Sequence, residues 1–428
     1  METMRPLSMR SRRAFPALFA LLALLTLASA SLAQEGFHLR PNDTVVFYGD
    51  SITNQLLYTT FTETFVVTRY PQMPVRFVHS GWGGDRVSGG GGGKIDERLR
   101  RDVLAYKPTV MTIMLGMNDG RVRPFDEAIF NEFASGYQHI IKTMKEAVPK
   151  LRITVIQPSP FDDVTRKPGF RGGYNKVLIR YGEFVKGMAK PNNMLVADMN
   201  TPVVEALRKA KATNRDLAQR IIPDRVHPGP GGHLLMAEAL LKAWGATPLV
   251  TAVEIDAASN KVVLTDNTSV AGLTAGKTIS WTQNDRSLPM PVNVKDQVIA
   301  LTVRSSDFME SMNQETLKVT GLQPGKYALK INGEAIGTFD ATLLGRGINL
   351  AEFDTPMAKQ AAAVHELTIK RTGVHQARWR QFQVPLQDDN LPQVQPILEI
   401  LDELDTELQA RQRAAAQPRA CNYELTQE

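Results

Sequence analysis

The sequence predicts an α/β protein: a doubly wound parallel sheet, followed by a small antiparallel β domain and a helical C-terminal segment. Three observations carry this. From Thr44 to about Ala246, short apolar runs alternate with longer amphipathic stretches, the pattern of strands joined by helical crossovers. After Trp244-Gly245-Ala246-Thr247-Pro248 the pattern changes to short alternating runs, as in half-buried strands. Near the end Val394, Ile397, Leu401, Leu404 and Leu408 recur at spacings of three and four, the period of a helix with one apolar face. With 428 residues, 43% of them hydrophobic, the chain has core enough for two or three domains.

The N-terminus carries Arg10, Arg12 and Arg13, then an apolar run from Phe15 to Leu27, then small residues ending Ser31-Leu32-Ala33. That order is the charged, apolar and small-residue order of an export signal, with cleavage expected after Ala33. An uncleaved membrane anchor is the alternative, but the run is short for a span and holds Pro16. The expectation is a protein of the periplasm or the extracellular space with no stable membrane insertion after cleavage. Losing residues 1–33 removes four arginines and one glutamate, which lowers the net charge from +6 to +3. No Lys/Arg cluster with interleaved aromatics occurs, so nothing supports nucleic-acid binding. The single cysteine, Cys421, excludes an intrachain disulfide and reads as a residue of the tail.

The first strand is Val45-Val46-Phe47-Tyr48, ending on Gly49-Asp50-Ser51, and a helical pattern starts near Asn54. Val75–Val78, Thr109–Leu115, Ile153–Ile156 and Met194–Ala197 read as further strands. Phe125–Ala147 and Asn175–Ala189 read as helices between them. Right-handed crossovers then make the sheet parallel. Residues 37–247 form the first domain on this reading. Residues 249–345 form a β-rich, sandwich-like domain, with Asn332-Gly333 after Tyr327–Ile331 as a hairpin signal. Residues 346–428 are helical, and Thr355-Pro356 marks a helix start, threonine at the cap and proline at the first position. The seam of the last helix is two heptads long, so it is expected to dock on the body rather than to pair between chains.

Four places carry chemistry. Ser51 leaves a strand into a helix, which puts its hydroxyl at the carboxyl edge of the sheet, where ligands of open α/β sheets bind; the alternative is a capping serine. Asp224-Arg225-Val226-His227 puts a histidine three residues after an aspartate. The carboxylate can hold one ring nitrogen while the other takes a proton from a serine; a surface turn has the same letters. Asn118, in Leu115-Gly116-Met117-Asn118-Asp119, follows a strand and can donate to an oxyanion, or serve as a turn residue. Gly84, in Ser80-Gly81-Trp82-Gly83-Gly84-Asp85, can expose its backbone N–H to the same oxyanion. Gly89–Gly93 with Lys94 misses the spacing of a phosphate loop and reads as a flexible loop near the cleft. His38, His139, His365 and His375 lie in no comparable context, and His233 falls in the closing helix.

Gly49-Asp50-Ser51, Gly84, Gly116-x-Asn118-Asp119 and Asp224-x-x-His227, in this order, resemble the four blocks of the SGNH/GDSL hydrolases. One departure is His79, where many members have asparagine. The resemblance covers roughly residues 40–247. It implies a flavodoxin-like sheet, Ser51 as nucleophile, His227 as base and acid, and Asp224 as its orienting partner. The Ser51 and Gly84 amides and the Asn118 side chain would form the oxyanion hole, with no cofactor or metal. The implied activity is that of a secreted serine esterase acting on a small-molecule or polysaccharide ester, similar to carbohydrate O-deacetylases of the rhamnogalacturonan acetylesterase kind. A lysophospholipase or thioesterase, and a non-catalytic polymer-binding protein on the same scaffold, are the alternatives.

Overall fold

The structure, a computed structural model, describes residues 36–428; the export signal expected at 1–33 lies outside them. Five parallel strands form the first sheet: β1 (Thr44–Gly49), β2 (Arg76–Gly81), β3 (Val110–Met114), β4 (Arg152–Ile156) and β5 (Leu195–Ala197). Their order is β2-β1-β3-β4-β5, the flavodoxin-like one. Val45 to Gly49 and all of β3 are buried, as befits strands covered on both faces by helices. The order reverses between β1 and β3, so their carboxyl ends open a crevice there. Ser51 follows β1 and Asn118 follows β3.

The second half departs from the expectation of an antiparallel module followed by helices. One sheet has five antiparallel strands, in the order 268–274, 278–285, 421–427, 326–331 and 334–340. The other has four, and its central pair, Leu249–Asp256 and Gln314–Thr320, is parallel. A parallel pair needs a long crossover, and here the connection holds three strands and two helices, Gln297–Arg304 and Phe308–Met312. Side chains from the two sheets, among them Val253, Ile255, Trp281, Leu317, Leu329 and Tyr423, form a second core.

Three domain expectations change. The C-terminal segment is not helical throughout: after helices Pro356–Gln376 and Val394–Ala415 it ends in strand Cys421–Gln427, the middle strand of the antiparallel sheet. Its alternating Cys421, Tyr423 and Leu425 are buried, so Cys421 is a core residue (3% exposed) rather than a loose tail thiol. The break after Pro248 is not a packing boundary either. Val298, Leu301, Phe308 and Met312 of the crossover helices belong to the first core, and Gly36–Glu428 is one unit.

The last helix docks on the body, but by charge more than by its apolar seam, for Leu404 is exposed. Arg378 pairs with Asp402 (2.6 Å), and Arg371 with Asp405 (3.2 Å) and with Glu63 (2.7 Å) of the helix α2 (Leu57–Arg69). Glu63 also accepts from Gln412 (2.8 Å) and bonds His79 on β2 (3.1 Å). Burial alone would raise the Glu63 carboxyl, but Arg371 and His79 pull it down to about 2. No helix among the described residues is long and apolar enough to cross a membrane.

Candidate active site

The turn from β1 into the short helix α1 (Ser51–Asn54) sets the serine. Gly49 is required there by close approach: a Cβ would lie 2.8 Å from Met114 O on the neighbouring strand and would collide with Thr53. Asp50 is the N-cap, accepting from Ile52 N at 3.0 Å. Ser51 is thus the first helical residue, and its own N–H has no intrahelical acceptor. Burial, with Asp119 and Asp85 nearby, pushes the Asp50 carboxyl up to about 7.

Asp224 and His227 come from the loop before helix Pro230–Ala243. His227 Nε2 lies 2.8 Å from Ser51 Oγ, and His227 Nδ1 lies 2.6 Å from Asp224 Oδ2. Asp224 Oδ1 accepts from the N–H of Val226 (2.9 Å) and of His227 (2.7 Å), so one carboxylate fixes both the ring and the turn that carries it. Partial burial pushes the Asp224 carboxyl up, but these bonds outweigh it and hold the group below the usual range. The Asp224 and His227 side chains are 55% and 35% exposed, which makes the site an open cleft.

The strand ends supply the remaining groups. Trp82 N–H donates to Gly49 O (2.9 Å) and ties the exit of β2 to that of β1. Gly84 has φ +79°, a left-handed conformation that suits glycine, and its peptide faces solvent. Asn118 Nδ2 donates to Asp85 O (3.0 Å), so one of its two hydrogens holds the peptide next to Gly84 and the other is left over. Asp119 Oδ1 accepts from Val87 N (3.0 Å) and fastens the same loop to the β3 turn; burial pushes the Asp119 carboxyl up to about 6. Ser51, His227 and Asp224 are thus joined by hydrogen bonds, and Asn118 is tied to the loop that carries Gly84.

The glycine run differs from the flexible loop expected. Gly89–Gly90 pairs with Gly93–Lys94 in a small hairpin, and a Cβ on Gly92 would sit 2.5 Å from Trp82 Cδ2. The glycines let the backbone lie flat on the indole.

Several supporting groups gave no sequence signal. Gln55 Nε2 donates to Pro228 O (3.2 Å), just after His227, and Gln55 Oε1 lies 3.0 Å from His233 Nε2. His233 Nδ1 accepts from Tyr58 N (3.2 Å), so its Nε2 carries the hydrogen. Burial lowers His233 to about 3 and keeps it neutral in that role. Arg225, at φ +76°, reaches Asp163 (2.7 Å) and Asp162 O (3.0 Å) to brace the loop from the other side.

A serine hydroxyl on a histidine, a histidine on a carboxylate and backbone donors nearby are the parts of acyl transfer. Residues 47–235, which hold all five groups, match the GDSL-like Lipase/Acylhydrolase family. That part of the chain is a GDSL-like lipase/acylhydrolase domain of the SGNH/GDSL kind. It is an ester-hydrolysing serine hydrolase. Over 181 residues it is 26% identical to an acetylxylan esterase of Geobacillus stearothermophilus, covering 41% of this chain and 75% of that protein. A gut microbial diltiazem-metabolizing enzyme of known structure superposes with a TM-score of 0.81 at 26% identity, covering 91% of this chain and 98% of that one. The second likeness extends beyond the hydrolase sheet into the β-rich and C-terminal parts.

Proposed function

We infer that this hydrolase is an exported carbohydrate esterase that removes small acyl groups, acetyl above all, through Ser51, His227 and Asp224. The observation that carries the reading is the continuous relay from Ser51 Oγ through both ring nitrogens of His227 to Asp224 Oδ2, at 2.8 and 2.6 Å. His227 Nε2 takes the Ser51 proton as Oγ bonds to the carbonyl carbon, and the π electrons move to the carbonyl oxygen. The N–H groups of Ser51 and Gly84 and the free hydrogen on Asn118 Nδ2 hold that oxyanion. Collapse breaks the bond to the alcohol oxygen, which leaves with the proton from His227. Water then repeats the sequence on the acyl-serine, releasing the acid and restoring Ser51.

The exposure of His227 and Asp224 supports a bulky alcohol portion, such as a sugar in a chain, lying across an open cleft. The acetylxylan esterase relative supports an O-acetyl carbohydrate as the substrate class. Hydrolysis of p-nitrophenyl acetate, p-nitrophenyl decanoate, acetylated xylan and diltiazem, itself an acetate ester, tests the reading. Acetate esters should be cleaved and the decanoate poorly. Ser51→Ala should abolish turnover with the fold intact. Turnover that survives in that variant, or a preference for the decanoate, would overturn the assignment.

A further inference from the structure

Between the two C-terminal helices the chain winds through a π-helical stretch, Ala377–Gln383, a rare geometry that recurs at functional sites. Its neighbours fix it firmly. His375 Nε2 and Gln376 Nε2 bond to His79 O (3.1 and 3.3 Å). Trp379 is fully buried, donates to Asp102 Oδ1 (2.6 Å) and meets Trp82 edge-on, with centroids 5.6 Å apart. Arg380 therefore emerges over the face of Trp82, its guanidinium carbon 3.4 Å from the ring centroid, and its Nη1 donates to Asn54 Oδ1 (3.0 Å). Asn54 lies one turn beyond Ser51, and Trp82 lies two residues before Gly84. A half-buried guanidinium thus stands beside both the nucleophile's helix and the oxyanion loop.

The charges around it are unevenly matched. Arg98 is paired with Asp85 (2.8 Å) and Asp102, and Arg101 with Asp102 (2.8 Å) and Glu97 (3.1 Å). Arg380 has no carboxylate within 4 Å among the described residues, and its one hydrogen bond there goes to a neutral carboxamide. Burial and the neighbouring Arg98 both disfavour its charge, with Asp102 and Asp85 compensating only from a distance. Four N–H donors of a planar fork remain, the geometry that takes a carboxylate in two parallel bonds.

We propose that Arg380 is a substrate-contacting residue that binds a carboxylate on the alcohol portion of the ester, so that the enzyme favours acetyl esters of acidic sugars and hydroxy acids. The proposal rests on the acetyl-esterase reading: an acetyl group carries no second charge, so an anion must come from the alcohol side. The C-terminal segment then completes the substrate cleft as well as bracing the fold.

The test compares 3-acetoxybenzoate with its neutral methyl ester in the wild type, Arg380→Gln and Arg380→Lys. The readout is the ratio of kcat/KM for the anionic ester to that for the neutral one, which is unaffected by the fraction of protein folded. Arg380→Gln should lower this ratio about tenfold or more, chiefly through KM of the anion, as expected on losing a hydrogen-bonded charge pair. Arg380→Lys should fall between, since it keeps the charge and loses the fork. Added salt should erode the preference in the wild type and not in Arg380→Gln. A ratio unchanged in Arg380→Gln overturns the proposal while leaving the esterase reading intact. A wild type that cleaves neither ester overturns that reading and the proposal with it.

Discussion

Replacing Glu63 by glutamine should destabilise the protein by about 3–5 kcal/mol, the cost of leaving a buried charge without its partner. The structure says why the upper part of that range is reachable. One carboxylate meets four donors: Arg371 Nε (3.1 Å) and Gln412 Nε2 (2.8 Å) on Oε1, Arg371 Nη2 (2.7 Å) and His79 Nε2 (3.1 Å) on Oε2. A carboxamide turns one of those acceptors into a donor that faces donors, and Arg371 stays fully buried with Asp405 as its one remaining carboxylate and the Phe77 carbonyl as a neutral acceptor. With an unfolding entropy of about 2 cal/mol/K per residue across the whole unit, the loss corresponds to a fall in Tm of roughly 4–6 °C. Thermal unfolding followed by circular dichroism at pH 7 measures it. The paired variant Glu63→Gln with Arg371→Met should lose less than Glu63→Gln alone, because no buried cation remains. The pH dependence has a definite sign. Glu63 ionises at about 2 when folded, below its ordinary 4.5. Its contribution is complete above about 4.5 and fades as the pH falls towards 2, and the variant should lack that part of the acid slope. A shift below about 1 °C at pH 7 would refute the reasoning.

Asp224→Asn should lower kcat by up to about 10⁴ with little change in KM, since a carboxamide donor beside Nδ1 favours the tautomer that has its hydrogen facing Ser51; steady-state kinetics on p-nitrophenyl acetate checks this. Asn118→Ala should cost about 10²–10³ in kcat, the loss of one oxyanion donor, and an effect confined to KM would make Asn118 a ground-state contact instead. Gln55→Leu should lower kcat while leaving Tm within a few degrees, because it frees the loop after His227; equal activity would show that Arg225 and Asp163 hold the loop unaided. Glu315 is buried, neither carboxylate oxygen has a partner, and burial with the Asp285 charge pushes it up to about 8. The unfolded chain releases that proton near 4.5, so wild-type stability falls as pH rises from about 4.5 to 8. Glu315→Gln should therefore gain Tm relative to the wild type at pH 8 and not at pH 4.5.

The hydrolase sheet was legible because its signals are local. Val45–Tyr48 and Thr109–Leu115 are unbroken apolar runs, and such runs specify strands covered on both faces wherever they later sit. The five residues proposed for the site stand out in the sequence for the same reason, each lying at the end of a strand or in a short turn whose letters suggest its chemistry. The supporting groups were not. Gln55 and His233 are 178 residues apart and act through one hydrogen bond, and neither has a pattern around it. Strand Cys421–Gln427 was missed because seven residues alternating as Cys-x-Tyr-x-Leu follow a long helix and resemble any tail. Only the vacant place between 278–285 and 326–331 makes them a strand. The parallel pair of 249–256 with 314–320 is equally non-local, since nothing in either run says which way its partner runs.

That last strand changes what the β-rich region is. A module attached after Pro248 could be replaced by a linker, but this chain crosses its own seam five times. It leaves the hydrolase at 248, returns through helices 297–304 and 308–312 to bury Leu301, Phe308 and Met312 in the first core, then goes back to the sheets. The helices 356–376 and 394–415 dock on α2 and β2 through Arg371, Glu63 and Gln412, and the chain finally re-enters the antiparallel sheet as its middle strand. Removing residues 249–345 would take away both neighbours of strand 421–427 and part of the first core at once, so loss of activity in such a deletion would report unfolding rather than a role in acyl transfer. A point change at Arg380, whose half-buried guanidinium lies over Trp82 and reaches Asn54 on the helix of Ser51, can separate the two. It leaves the crossings in place and alters only what the returning chain presents there.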